Sequence, residues 1–256
     1  MALLAAALPA VDAGASMAAE NREIRIAAAA DLKFALDALI EAFRAAHPEI
    51  TVKASFGSSG IFYSQLSSGA PFDLFFSADA EYPRRLVAEG AGLAGSEFLY
   101  AIGRIVLWVP RSSPIDVEDL GIRALRHASV RHIAIANPRH APYGRAAEAA
   151  MRRLQVYDSV KDKLVLGENI AQTAQFVESG SAEIGILALS LAVAPAMKDS
   201  GRFWEIPPDS YPRIEQAGII LKASRDADAA RLFRGLVTGA EGRSILKRFG
   251  FSFAEE

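Results

Sequence analysis

Ile50-Thr51-Val52-Lys53-Ala54-Ser55-Phe56 runs straight into Gly57-Ser58-Ser59-Gly60, and then into Ile61-Phe62-Tyr63-Ser64-Gln65-Leu66. The first segment alternates apolar and polar residues as a strand does, and the last reads as the opening of a helix. A Gly/Ser turn between them leaves first-turn N–H groups without intrahelical acceptors. Those donors, two hydroxyls and the positive end of the helix dipole suit an oxyanion.

Working outward, strands and helices alternate along the chain. Strands are predicted over 23–29, 50–56 and 73–77, each followed by a helix (32–46, to about 66, and 80–89). Residues 100–110 read as one longer strand, and a second series follows it: strands 132–136, 163–166 and 183–187, with helices 145–154, 171–178 and 191–197. A strand at 214–221 and a broken helix over 227–249 close the pattern. Continuous apolar strands between amphipathic helices predict mainly parallel sheets covered on both faces, an α/β architecture. Two series without a linker predict two lobes joined by crossing strands near Gly103 and Gln216, with 21–103 plus 216–256 as one lobe and 104–215 inserted as the other. Ligands in such sheets sit beyond the carboxyl ends of the strands, here between the lobes.

Composition sets outer limits. The 256 residues are 51% hydrophobic and 23% charged, enough for buried cores, and the net charge of −2 with scattered basic residues argues against a nucleic-acid surface. The chain has no Cys, which rules out thiol catalysis and disulfides. Leu3-Leu4-Ala5-Ala6-Ala7-Leu8-Pro9-Ala10, followed by A-x-A-like options at Ala13-Gly14-Ala15 and Ser16-Met17-Ala18, resembles the end of a secretory signal peptide over residues 1–20, without its usual basic start.

Three further strand-to-helix junctions share the character of the first. Ala27-Ala28-Ala29-Ala30-Asp31-Leu32 lets a ligand approach the backbone, with Asp31 read as a helix cap turned away from any anion. Asn137-Pro138-Arg139-His140-Ala141-Pro142-Tyr143-Gly144 is a stiff loop that places a phenol before a helix. Gly167-Glu168-Asn169-Ile170-Ala171-Gln172 offers the Ile170 N–H. Catalytic signatures are weak by comparison. The Gly57–Gly60 turn is not a G-x-S-x-G elbow, and His47, His127, His132 and His140 lack metal-ligand spacing. Asp73 and Asp79 flank a buried strand and read as strand-end caps, and there is neither a P-loop lysine motif nor G-x-G-x-x-G.

With the four junctions together, the chain resembles the periplasmic molybdate-binding proteins of bacterial ABC importers (ModA) over about Ile24 to Phe253. The marks are Ala28-Ala29-Ala30-Asp31-Leu32, Ser55-Phe56-Gly57-Ser58-Ser59-Gly60, Asn137-Pro138, Gly185-Ile186, Lys247-Arg248-Phe249-Gly250-Phe251 and, most specific, Gly69-Ala70-Pro71-Phe72-Asp73-Leu74-Phe75-Phe76-Ser77-Ala78-Asp79. The resemblance implies a two-lobed type II periplasmic binding fold and a non-enzymatic, monomeric protein. It implies molybdate or tungstate as ligand, a membrane permease as partner, no nucleic acid and no cofactor. Its site positions fall on Ala30 and Asp31 in the first loop, Ser58 and Ser59 in the second, Tyr143 in the third and Ile170 in the fourth, all touching oxygens of the oxyanion and none the metal. The chain departs from the family at Asp31, where a Ser is usual, and at Ala188, where many members carry a Tyr that Tyr143 replaces from the opposite loop. The alternatives are a protein for another tetrahedral oxyanion, sulfate or phosphate, and the ligand-sensing domain of a regulator. Phosphate gains ground if the Asp31 carboxylate faces the cleft, because phosphate keeps a proton near neutral pH and needs an acceptor.

Overall fold

The structure is a computed structural model and describes residues 22–253. The expected leader lies outside the described residues. Along the chain come β1 (Arg22–Ala29), α1 (Lys33–Ala46), β2 (Ile50–Gly57), α2 (Ser59–Ser67), β3 (Leu74–Ser77), α3 (Glu81–Ala88), β4 (Phe98–Gly103) and β5 (Ile105–Pro110). Then follow α4 (Val117–Leu120), β6 (Ile133–Ala136), α5 (Pro142–Arg153), α6 (Tyr157–Val160), β7 (Leu164–Gly167), α7 (Ile170–Glu178), β8 (Ile184–Ala188), α8 (Leu189–Ala192), β9 (Gly201–Glu205), β10 (Ile214–Ile220), α9 (Ala227–Thr238) and α10 (Ala240–Arg248).

The strands form two five-stranded sheets, ordered β2-β1-β3-β10-β4 and β7-β6-β8-β5-β9. In the first sheet β10 pairs antiparallel with both neighbours, and β1, β2 and β3 pair in parallel. In the second, β5 plays the same part against β8 and β9. One reversed strand per sheet thus sits among strands of a single direction. Both reversed strands directly follow a crossing from the other sheet. Each enters from the cleft side, where the parallel strands end, and so must run against them.

Apolar burial explains the layers. In the first lobe β1, with Ile24 and Ile26 fully buried, packs under Leu36, Leu39 and Phe43 of α1. Phe43 meets Phe233 of α9 edge-on at 5.1 Å between ring centres, and Phe76 meets Tyr100 at 5.3 Å. In the second lobe Trp108 and the all-apolar β6 and β8 pack against Ala147, Met151, Ala174 and Val177. Several helix starts are capped by side chains. Ser58 caps α2 by accepting from the Ile61 N–H, and Asn169 Oδ1 accepts from the N–H groups of Ala171 and Gln172 at 3.0 Å. Asp226 caps α9 and holds Arg22 through two oxygens at 2.6 and 2.8 Å.

Three sequence expectations are corrected. The single strand over 100–110 is two strands in two sheets, broken at Arg104. Its two halves look alike in hydropathy because both are core strands. The break coincides with Gly103, where a Cβ would lie 2.3 Å from the Tyr143 hydroxyl. The helix expected over 191–197 is only α8, since Pro195 cannot donate to a continuing helix. Asp31 sits inside a short 3-10 turn, Ala30–Leu32, and makes no side-chain cap. The edge strand β9, half-buried along most of its length, carries too weak an apolar pattern to be read from sequence.

Candidate functional site

The carboxyl ends of β1, β2, β6 and β7 meet at one point, and the helix starts beyond them line a single small cavity. Its walls are Ala29, Ala30 and Asp31, then Gly57, Ser58, Ser59 and Ala78, then Ala141, Pro142, Tyr143 and Ile170. Ala30, Asp31, Ser58, Ser59, Tyr143 and Ile170, singled out from sequence, therefore all face the same space. The cavity is small, with an empty volume of ≈ 190 Å³, and suits one compact group. Larger hollows exist as well: one, between Leu99, Arg243 and Phe253, lies on the outside of the first lobe, and two open between the lobes beside the site, at Asp79, Arg84 and Arg145 and at Phe56, Glu168 and Gln172.

The lobes are closed on this cavity. The Gly60 N–H donates to the His140 carbonyl at 2.9 Å, and Ser58 Oγ lies 2.9 Å from His140 Nδ1. Ser190 Oγ donates to the Asp31 carbonyl at 2.8 Å, and Arg145 pairs with Asp79 across the rim. Gly60 is required for this approach: a Cβ there would stand 2.7 Å from the His140 carbonyl oxygen.

Donors dominate the walls. The N–H groups of Ser59, Tyr143 and Ile170 belong to the first turns of α2, α5 and α7 and have no intrahelical acceptor by position. Three positive helix ends thus converge on one space. Ser59 Oγ accepts from the Ala78 N–H at 2.9 Å, which leaves its own proton free to donate. Among the described residues the lining includes no lysine or arginine, and no group of three or more His, Asp or Glu is placed to hold a metal ion.

Asp31 is the exception. It is 2% exposed, and its Oδ2 accepts from the Tyr143 hydroxyl at 2.8 Å and from Gln216 Nε2 at 2.6 Å. The Tyr143 hydroxyl, expected to serve the cleft directly, is thus engaged with Asp31 and lies 2.9 Å from Gln216 Nε2 as well. Gln216 Oε1 in turn accepts from the Tyr100 hydroxyl at 2.7 Å. Burial pushes the Asp31 carboxyl up to about 6, against the bonds from Gln216 and Tyr143, which favour the charged form. Burial also raises both phenols, Tyr100 and Tyr143, well above their ordinary range, so they remain neutral donors. The amides of Asp31 and Leu32 also favour the charged carboxylate, yet no donor reaches Oδ1 with hydrogen-bond geometry, and it is buried without a partner.

Gln216 and Tyr100 were not read as site residues from sequence. The signal for Gln216 is a lone amide in the apolar run Ala217-Gly218-Ile219-Ile220, fully buried although polar. His140, read from sequence only as lacking metal-ligand spacing, bridges the two lobes through its carbonyl and its ring. Ala188 ends β8 as a fully buried core residue.

Two lobes closed over a donor-lined, oxyanion-sized space define a solute-binding protein, and the model of the bacterial extracellular solute-binding proteins matches residues 24–252. The chain is 39% identical over 201 residues to the molybdate-binding protein ModA of Rhodobacter capsulatus, covering 78% of this chain and 77% of that one. It is 38% identical over 236 residues to ModA of Azotobacter vinelandii, covering 91% of each. Among solved structures, the periplasmic molybdate-binding protein of Azotobacter vinelandii superposes with a TM-score of 0.82 at 31% identity, covering 90% of this chain and 99% of that one. The chain belongs to the ModA family within the bacterial extracellular solute-binding proteins.

Proposed function

We propose that this protein captures molybdate, and tungstate with it, in the periplasm and delivers it to the permease of an ABC importer. The observation that carries the proposal is the convergence of three helix starts and the Ser58 and Ser59 hydroxyls on a space of oxyanion size. A fully ionised tetrahedral oxyanion offers only acceptors, and N–H and O–H donors satisfy it without a full counter-charge. Sulfate has the same charge but is smaller, so in a rigid cleft its bonds stay long and its affinity low. Tungstate nearly equals molybdate in size and binds alike.

Ala30, Asp31, Ser58, Ser59, Tyr143 and Ile170 are proposed to touch the ligand's oxygens and not its metal, with no resident cofactor and no chemistry performed. The relatives are binding proteins rather than enzymes, and this chain is proposed to act in the same way, as a monomer. The two lobes, 21–103 with 216–256 and the inserted 104–215, are proposed to open and close about their crossing strands. Among the described residues no helix is long and apolar enough to cross a membrane.

One observation favours a second reading. Asp31 lines the cleft and its Oδ1 is buried without a partner, and an acceptor suits phosphate, which keeps a proton near neutral pH. Equilibrium competition decides between them. Molybdate should displace sulfate and phosphate, and Ser59→Ala should weaken molybdate binding by about 1–3 kcal/mol, or roughly fivefold to 150-fold. Phosphate binding ahead of molybdate, or a Ser59→Ala protein with unchanged affinity, refutes the assignment.

A further inference from the structure

The lone acidic group of the cleft poses a problem that the donor walls do not. An ionised carboxylate beside a dianion is repelled by it, and in this closed, water-poor space little screens the two. Yet Asp31 is held firmly: Oδ2 accepts hydrogen bonds from Tyr143 on α5 and Gln216 on β10, and Ser190 at the start of α8 donates to its carbonyl. Oδ1 alone is left buried and unpartnered, on a residue that lines the cavity. The other donors and cations around the cleft are committed elsewhere. Tyr100 donates to Gln216, Arg145 pairs with Asp79, Lys33 pairs with Asp37 at 3.1 Å, and the His140 imidazole is turned to Ser58.

We propose, building on the oxyanion-capture reading above, that Asp31 enters the complex as the neutral acid, with a proton on Oδ1 donated to an oxygen of the bound dianion. Oδ2 is saturated by two donors, so Oδ1 is where the proton goes. The balance is simple: one proton leaves the buffer and joins Oδ1, no bond of the ligand is broken, and the complex gains one hydrogen bond where it had a repulsion. The acid then acts as a specificity-determining residue. It donates to molybdate or tungstate and offers nothing to the proton that phosphate keeps near neutral pH. The raised ionisation range of the buried carboxyl, about 6, places the group within reach of protonation at neutral pH. A bound dianion raises it further.

The test is calorimetric titration of the full chain with sodium molybdate, in two non-phosphate buffers of different ionisation enthalpy, from pH 6.5 to 8.5. The expected result is uptake of about one proton per molybdate near pH 7.5, with affinity falling about tenfold per pH unit above neutrality. Asp31→Asn keeps a donor at the cleft and no proton to take up. It should bind with a flat pH profile and exceed the unmodified protein at pH 8.5. The unmodified protein's proton count stands by itself if that variant folds poorly. Molybdate binding without proton uptake overturns the inference and leaves molybdate capture standing. Uptake that persists in Asp31→Asn assigns the proton to another group, with His140 foremost, and overturns it too. Phosphate binding ahead of molybdate makes Oδ1 an acceptor, and no saturable binding of molybdate at any pH removes the site; either result ends both readings.

Discussion

The two walls of the cleft are built from different materials. The first lobe presents side chains, the Asp31 carboxyl and the Ser58 and Ser59 hydroxyls, each fixed by a named partner. The second lobe presents mostly main chain, the starts of α5 and α7. Asp31 shows how the difference works. Gln216 is its partner within the first lobe, and Tyr143 reaches it from the second across the closed cleft. In the proposed function the first wall would set charge and selectivity, and the second would add donors and respond to closure.

The comparison breaks most severely at Gly144, in the first turn of α5. A Cβ there would stand 2.1 Å from the Ala136 carbonyl oxygen, main chain that cannot step aside. Gly144→Ala should destabilise the protein by about 3 kcal/mol or more, seen as a large fall in melting temperature, and should disturb the second wall alone.

Asp31→Asn sharpens the charge half of the comparison. The folded-state value near 6 lies above the ordinary 3.8, so the folded protein binds the extra proton. The unmodified protein then loses stability as pH rises from about 4 to 6 and gains none back above it. Removing the ionisable group should leave the variant roughly 2–3 kcal/mol better placed at pH 8 than at pH 4, relative to the unmodified protein. Melting curves at the two pH values check this, and equal offsets at both would contradict the burial argument.

Gly60→Ala separates the walls without removing a donor. Its Cβ would meet the His140 carbonyl oxygen of the second lobe and the Tyr82 hydroxyl on α3, the movable end of a side chain in its own lobe. The substitution should cost about 1–3 kcal/mol of affinity and leave the melting temperature of the unliganded protein nearly unchanged. Arg145→Ala tests the rim. That pair with Asp79 is partly exposed, so its loss should change affinity by less than about 1 kcal/mol, measured by the same titration at two salt levels.

Much of this architecture is legible in the sequence because apolar strands and amphipathic helices leave periodic traces. The four loops are legible for a different reason: small residues and turn formers cluster where a strand hands over to a helix, as in Gly57-Ser58-Ser59-Gly60. What sequence does not reveal is partnership at long range. Asp31 reads as a local cap because Asp before a helix usually is one. Its actual partners are 112 and 185 residues away, and no local pattern encodes them. The part Gln216 plays in the site is hidden for the same reason, whereas the crossing near Gly103 is legible from the two strand-and-helix series; only the break at Arg104 is not, since two core strands in succession read as one.

The most direct test of the central claim is a thermal-shift series with molybdate, tungstate, sulfate and phosphate at one pH and one salt level. A ligand at about 1,000 times its Kd adds roughly 4 kcal/mol to stability, a plain rise in melting temperature. Large shifts with molybdate and tungstate, and small ones with sulfate and phosphate, are the predicted result. No shift with molybdate, or a larger one with phosphate, would contradict the account.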